Sequence, residues 1–407
     1  MNKKKAVLII LDGVGDRANE KLGFKTPLQY AKTPNLDKIA KLSVVGLMDS
    51  IAPGIRAGSD TSHLNILGYD PYEVYTGRGP FEAAGVDMDL KPGDIAFRCN
   101  FATVNSELVV EDRRAGRIKS GTEELAEAIN GMEIDGVKFF VRAGVEHRAV
   151  LVMRGENLSP HVSDVDPHDT GLPIHHAKAL KDGAERTAKL LNEFVIKAHE
   201  ILKEHPVNKE REKRGLPPAN ILLPRGAGMV PHLEKFESKW GMKAACVVGI
   251  SLIRGICRLA GIEPINVEGA TGGYDTDMMA KMRAVIEALK TYDFVLVNIK
   301  APDIAGHDMN PDKKVEVIER IDNAIGFLFE HIPQNTVLVI TADHSTPCSV
   351  GDHSGDPVPV LMYSSDSRRE GSEFNEVAVI KGSLRIRGSD IMQYILNITN
   401  RAEKFGA

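Results

Sequence analysis

Four short apolar runs stop abruptly at residues that can carry chemistry: AVLIIL before Asp12, AACVVGI at 244–250, FVLVNI before Lys300 and Asp303, and VLVITA before Asp343. None alternates with polar residues, so each must be covered on both faces, as the buried strands of a parallel sheet are. Between them lie helical patterns at Asp277–Tyr292 and Pro311–His331, the second opening on a proline that the first helical turn tolerates. Alternating strands and helices predict an α/β fold, a mainly parallel sheet with helices on both faces. Ligands of such open sheets gather beyond the carboxyl ends of the strands, so Asp12, Asp303 and Asp343 are expected to project from one edge.

The middle of the chain reads differently. DIAFRCNFATV, ELVVEDRRAGRIKS and VKFFVRAGVEHRAVLVMRG alternate and carry glycine breaks, the signature of antiparallel strands. An amphipathic helix is expected from Ala177 to His205, followed by an exposed connection through NKEREKRGLPPAN at 208–220. At 407 residues the chain exceeds the size that one core usually serves. The expected organisation is an α/β domain made of 1–75 and 226–407, with a smaller, substrate-covering α+β domain inserted at 76–225. Small residues near Gly77–Gly79 and Leu223–Gly228 are candidates for its hinges.

A net charge of -5 and a pI near 6.3 provide no basic footprint for nucleic acid or an anionic membrane, which favours a small-molecule substrate. The opening MNKKKAVLIIL imitates a secretory signal, but the apolar run Ala6–Leu11 is too short and no cleavage pattern follows. No apolar run reaches the ~18 residues of a membrane span. Cys99, Cys246, Cys257 and Cys348 form no CxxC pair, which suits idle thiols in a reducing cytoplasm, the expected location. A homo-oligomer is left open.

The acids and imidazoles near the strand ends are weak signals one at a time. Asp12 before a glycine also suits a turn, and Asp343-His344 is only a dipeptide. Asp303 and His307 stand at i and i+4, so a helical turn would put both on one face. His353 follows on a glycine-rich loop. Six such residues on three strand-end loops of one sheet edge are together a candidate metal site, and mixed carboxylate and imidazole ligation suits Zn²⁺ or Mn²⁺. Ser59, in RAGSDTSHLNILGYDP, is the candidate nucleophile. A short helix over Asp60–Leu67 would place it at a helix N-terminus, where the dipole favours an alkoxide or a phosphate. A serine there also suits a plain N-cap.

The segments LDGVG, GSDTSHLNILG, NIKAPDIAGHD, TADHS and DHSGDPVPV, in this order, resemble the motifs of the 2,3-bisphosphoglycerate-independent phosphoglycerate mutases of the alkaline phosphatase superfamily. The resemblance is concentrated over roughly 1–70 and 290–365, and the intervening region is similar to the shorter archaeal type. It implies one divalent metal held by Asp303, His307 and His353, and another by Asp12, Ser59, Asp343 and His344. Manganese or zinc is implied, cobalt is an alternative, and no 2,3-bisphosphoglycerate is needed. The implied reaction interconverts 3-phosphoglycerate and 2-phosphoglycerate, in glycolysis and gluconeogenesis, through a phosphoserine on Ser59. His161 or a metal-bound carboxylate would handle the proton. Arg78 in TGRGP, His161 in SPHVSD and Arg254 in LIRG are nominated as substrate contacts. A metal-dependent phosphatase or another phosphosugar mutase of the superfamily fits the same core, since a fold does not fix a substrate. A non-catalytic metal or phosphate binder is the rival from another class.

Overall fold

The computed structural model of the chain describes residues 3–406. It packs as two units, one that runs to Val74 and resumes at Leu233, the other Tyr75–His232. The first unit opens with β1 (Lys5–Leu11) and β2 (Ser43–Asp49). The second holds β3 (Ile95–Val104), β4 (Val110–Asp112), β5 (Met132–Ile134), β6 (Val137–Ala143), β7 (Arg148–Arg154) and β8 (Ile221–Met229). The first then continues with β9 (Ala244–Val247), β10 (Glu263–Pro264), β11 (Phe294–Ile299), β12 (Thr336–Thr341), β13 (Val358–Tyr363) and β14 (Leu384–Arg387).

Among the described residues the sheet of the first unit has eight strands in the order β10-β9-β11-β1-β12-β13-β2-β14. Neighbours are parallel except where β13 meets β12 and β2. Central β1 pairs Leu11 with Ile299 of β11 and Ile10 with Thr341 of β12, so the three carboxyl ends are level. All of β11 and β12, and β1 after Lys5, is buried. Because alternate side chains point to opposite faces, uniform burial means that both faces are covered. The chain returns from β11 to β12 through helix Pro311–His331, where Pro311 opens the first turn and the Asn310 side chain accepts from Lys313 N–H.

The second unit is an antiparallel sheet ordered β4-β3-β7-β6-β5, with β8 on β3. Its core holds Phe97, Phe101, Phe139 and Phe194, and the last two rings stack at 4.5 Å. The chain leaves this unit at 232–233, past the 225–226 expected, because β8 pairs with β3 through Met229. The expected helix Ala177–His205 is shorter, Glu185–Glu204. Ahead of it Ala179 bridges Val162, and Gly183 adopts φ +85, both incompatible with a helix. The stretch 208–220 is likewise no simple exposed connection. Helix Pro206–Lys213 occupies its start, and the buried Asn208 side chain bonds Leu202 O, Ala219 O and Ala219 N–H. Among the described residues no helix is long and apolar enough to cross a membrane.

Candidate functional site

Level strand ends set the frame of the site. Asp12 follows β1, and Gly13 turns the chain at once with φ +62. A Cβ on Gly13 would lie 2.6 Å from Thr346 Oγ1 and 2.7 Å from the Asp303 side chain, so the turn takes only glycine. Beyond β11, the short helix Ala301–His307 carries Asp303 and His307 at i and i+4. Beyond β12 come Asp343 and His344, and the loop after them brings in His353. Ser59 is the first residue of helix Ser59–Ile66, capped by Gly58, which has no side chain to offer, while Asp60 Oδ1 accepts from Thr61 N–H at 3.0 Å. Ser59 is therefore not itself the N-cap.

These residues converge. Ser59 Oγ lies 3.1 Å from His344 Nε2. His344 Nε2 is 3.2 Å from Asp343 Oδ2, His353 Nε2 is 3.4 Å from Asp303 Oδ1, and His307 Nε2 is 3.5 Å from Asp303 Oδ2. Compact donor groups form from Asp12, Asp343 and His344, from Asp303, His344 and His353, and from His307, Asp352 and His353. His344 thus stands between two groups, and Asp352 joins the set that sequence motifs supplied. The His353 ring stacks on that of His344 at 3.6 Å.

The chemistry of these donors fits cations. Each ring turns its Nδ1 outward: His307 to Gly351 O at 3.0 Å, His353 to Ala57 O at 2.8 Å, His344 to Thr346 Oγ1 at 3.1 Å. A nitrogen that donates outward leaves the lone pair of Nε2 pointing inward at a carboxylate. Two acceptors facing each other need a proton or a metal between them. Asp343 Oδ2 is fully buried and has no hydrogen-bond donor, the signature of a missing electropositive partner. Burial opposes charge on His353, yet its contact with Asp303 raises its pKa, as a cation-seeking pair requires.

Three further residues complete the centre; they lie within the segments NIKAPDIAGHD and GSDTSHLNILG, where neither ligation nor substrate contact is expected of them. Lys300 Nζ reaches Asp12 Oδ1 at 2.8 Å, Asp303 Oδ2 at 2.7 Å and Ser59 Oγ at 3.2 Å. Burial would neutralise this lysine, but Asp12, Asp303 and Asp343 outweigh it and hold the ammonium well above the usual lysine range. Asn298 donates to Asp12 Oδ2 at 2.9 Å and contacts His63 Nε2 at 3.2 Å. His63, fully buried, bonds the Ser59 carbonyl through Nδ1 at 2.7 Å and so anchors the backbone of Ser59. Burial and the Asp343 charge raise the pKa of Asp12. Asp303 and Asp343 are held far below the carboxylate range: burial works against their charge, but His353 and Lys300 at the first, and His344, His63 and Lys300 at the second, prevail.

Of the nominated substrate contacts, Arg254 lies in the first unit on helix Ser251–Leu259 and donates to Asn266 Oδ1 at 2.8 Å. Arg78 and His161 belong to the second unit. Arg78 reaches Glu82 at 3.1 Å, and His161 is exposed. The same unit contains an arginine cluster that the sequence did not announce. Arg113 grips Asp166 with bonds of 3.0 and 2.7 Å, and Arg225 approaches the same carboxylate at 3.4 Å. Arg98 stands 3.8 Å from Glu82. The buried Nε atoms of Arg98 and Arg225 have no acceptor. Burial and the neighbouring guanidinium groups push Arg98 down to about 9 and His147 down to about 4, which marks a region short of negative charge.

The family model for 2,3-bisphosphoglycerate-independent phosphoglycerate mutase matches residues 40–208, and that for type I phosphodiesterase / nucleotide pyrophosphatase matches 234–355. The chain is 54% identical to 2,3-bisphosphoglycerate-independent phosphoglycerate mutase 1 of Methanocaldococcus jannaschii over 413 aligned positions, covering 100% of both chains. It is 51% identical to the corresponding mutase of Thermoplasma volcanium, covering 99% of each. Among solved structures, the PH0037 protein of Pyrococcus horikoshii superposes with a TM-score of 0.88 at 43% identity, over 100% of both chains. The cofactor-independent phosphoglycerate mutase of Thermoplasma acidophilum superposes with a TM-score of 0.73 at 41% identity, over 97% of this chain and 100% of that one.

Proposed function

The chain belongs to the 2,3-bisphosphoglycerate-independent phosphoglycerate mutase family, and from that premise we propose that it interconverts 3-phosphoglycerate and 2-phosphoglycerate through a phosphoserine on Ser59. The observation that carries the reading is one juxtaposition: Ser59 Oγ within 3.1 Å of His344 Nε2 and 3.2 Å of Lys300 Nζ, at the start of a helix. Asp303, His307 and His353 would hold one divalent cation, and Asp12, Ser59, Asp343 and His344 the other. Bound there, manganese or zinc, with cobalt as an alternative, would lower the pKa of a coordinated hydroxyl and offset phosphoryl charge.

The residues do the rest. Ser59 Oγ forms a bond to phosphorus as the bond to O3 of glycerate breaks, and the serine proton ends on O3. Lys300, donating to Ser59 Oγ, favours the alkoxide, while the helix N-terminus favours the phosphoryl anion. O2 of the retained glycerate then attacks, Ser59 Oγ leaves, and the proton of O2 returns to it. Within the inserted unit, Arg98, Arg113 and Arg225, with Arg78 and His161, are proposed as a group that binds an anion. The setting is glycolysis and gluconeogenesis in the cytoplasm.

Rapid quenching with radiolabelled phosphoglycerate, followed by peptide mass spectrometry, should find phosphate on Ser59. Ser59→Ala should lower turnover by ~10³-fold or more with its fold intact. Label on another residue, or a Ser59→Ala enzyme with substantial turnover, would exclude the covalent route. Chelation should silence the enzyme and Mn²⁺ restore it without added 2,3-bisphosphoglycerate.

A further inference from the structure

One buried hydroxyl joins the two candidate ligand sets. Thr346, 0% exposed, donates from Oγ1 to Asp303 Oδ1 at 2.7 Å and meets His344 Nδ1 at 3.1 Å. A hydroxyl has a single proton, and an ionised carboxylate can only accept. The proton therefore goes to Asp303, and the second contact has to run from His344 Nδ1–H to the threonine oxygen. This polarity fixes the His344 tautomer, leaving Nε2 bare toward Ser59 Oγ and Asp343 Oδ2.

The hydroxyl has no freedom to turn away. Thr346 N–H bonds Gly15 O at 2.9 Å, and its carbonyl accepts from Lys314 Nζ at 2.9 Å. Lys314 is itself buried and locked to Asp16 Oδ2 at 2.8 Å. Gly306 closes the other side, where an added Cβ would fall 2.3 Å from Thr346 O and 2.7 Å from its methyl carbon.

We propose that Thr346 is a positioning residue that couples the two metal sites, orienting Asp303 of one and fixing the tautomer of His344 of the other through a single hydroxyl. The inference rests on the ligand sets proposed above. Outer partners of this kind commonly change metal affinity by ~10- to 100-fold. Losing this one hydroxyl affects two sites at once.

The test is titration of chelator-stripped protein with Mn²⁺, following free ion by electron paramagnetic resonance, for wild type, Thr346→Val and Thr346→Ser. Wild type should bind two ions. Thr346→Val should weaken both steps by ~10-fold or more, while Thr346→Ser, which keeps the hydroxyl, stays within ~3-fold of wild type. If Thr346→Val does not fold, Thr346→Ala, which leaves room beside Gly13 and Gly306, carries the same expectation. Two unchanged affinities, a shift at one site only, or equal losses in the valine and serine variants would overturn the coupling while leaving the ligand sets standing. A wild type that binds no Mn²⁺ would overturn the ligand sets themselves. Melting temperatures of the stripped variants separate a folding defect from a binding one.

Discussion

Lysine 281 shows how far a single residue near the site can work against the fold. It is 1% exposed, and its Nζ donates to Asn298 O at 3.0 Å, one bond from the residue that holds Asp12. Burial pushes its pKa down to about 8. As pH falls from the ordinary lysine range, ~10.4, toward 8, the unfolded chain takes a proton that the folded chain does not. The folded state is therefore penalised in full at neutral pH, and the penalty fades as pH rises through that window. Lys281→Met should raise the stability of the chelator-stripped protein by roughly 1–3 kcal/mol at pH 7, with the gain shrinking by pH 10. Urea unfolding at both pH values checks this. Equal destabilisation at both would show that the bond to Asn298 outweighs the buried charge.

Among the elements, the helix Ala301–His307 is the most demanding. Its seven residues must carry Asp303 and His307 on one face while Gly306, on another, lies against the Thr346 backbone. Gly306→Ala puts a methyl group where a carbonyl oxygen stands, and the helix can accommodate it only by lifting away. The expected cost is ~1–3 kcal/mol, with weaker Mn²⁺ binding because both candidate ligands move with the helix. Thermal unfolding of the stripped protein and a Mn²⁺ titration measure the two effects; a variant normal in both would mean that the loop at Thr346 yields instead. The strands β1, β11 and β12 were legible from sequence because uniform burial leaves uniform apolar runs. Amphipathic spacing that continues through Ala177–Ala184 predicts a longer helix than Glu185–Glu204, but a strand bridge and Gly183 forbid the helix there. Helix Pro206–Lys213 is not legible from its sequence because its charged surface hides one buried anchor, Asn208.

On the scale of the molecule, the two units carry separate cores and separate charges. The candidate ligands all belong to the first unit, and the arginine cluster to the second. Ligands that bind only a folded state stabilise that state by mass action. Calorimetry should therefore show two transitions, with Mn²⁺ raising one and leaving the other within about 1 °C. A single transition that moves as a whole would mean that the units unfold together. The division of labour has a kinetic counterpart. Arg225→Met should raise KM for phosphoglycerate by ~10- to 100-fold, as expected for losing one charge-assisted hydrogen bond, and leave both Mn²⁺ affinities unchanged. An unchanged KM would remove Arg225 from the anion site.

By itself the sequence determined four of the eight strands of the first unit's sheet, β1, β9, β11 and β12, the residues that follow their carboxyl ends and the family, because apolar runs, helix spacing and motif order are local properties of the chain. Tertiary structure alone decided which neutral and cationic groups complete the centre. Asn298 and Lys300 both reach Asp12 only because β1 and β11 lie side by side with level ends. Thr346 reads as an ordinary loop residue until Gly13 and Gly306 bring a turn and a helix against it. The arginines of the second unit are scattered from 78 to 225, with no spacing to mark them, and antiparallel pairing of β3 with β8 sets Arg98 opposite Arg225. Hydrogen bonds and charges act over a few ångströms in space, and sequence separation has no bearing on that distance once the sheet has closed.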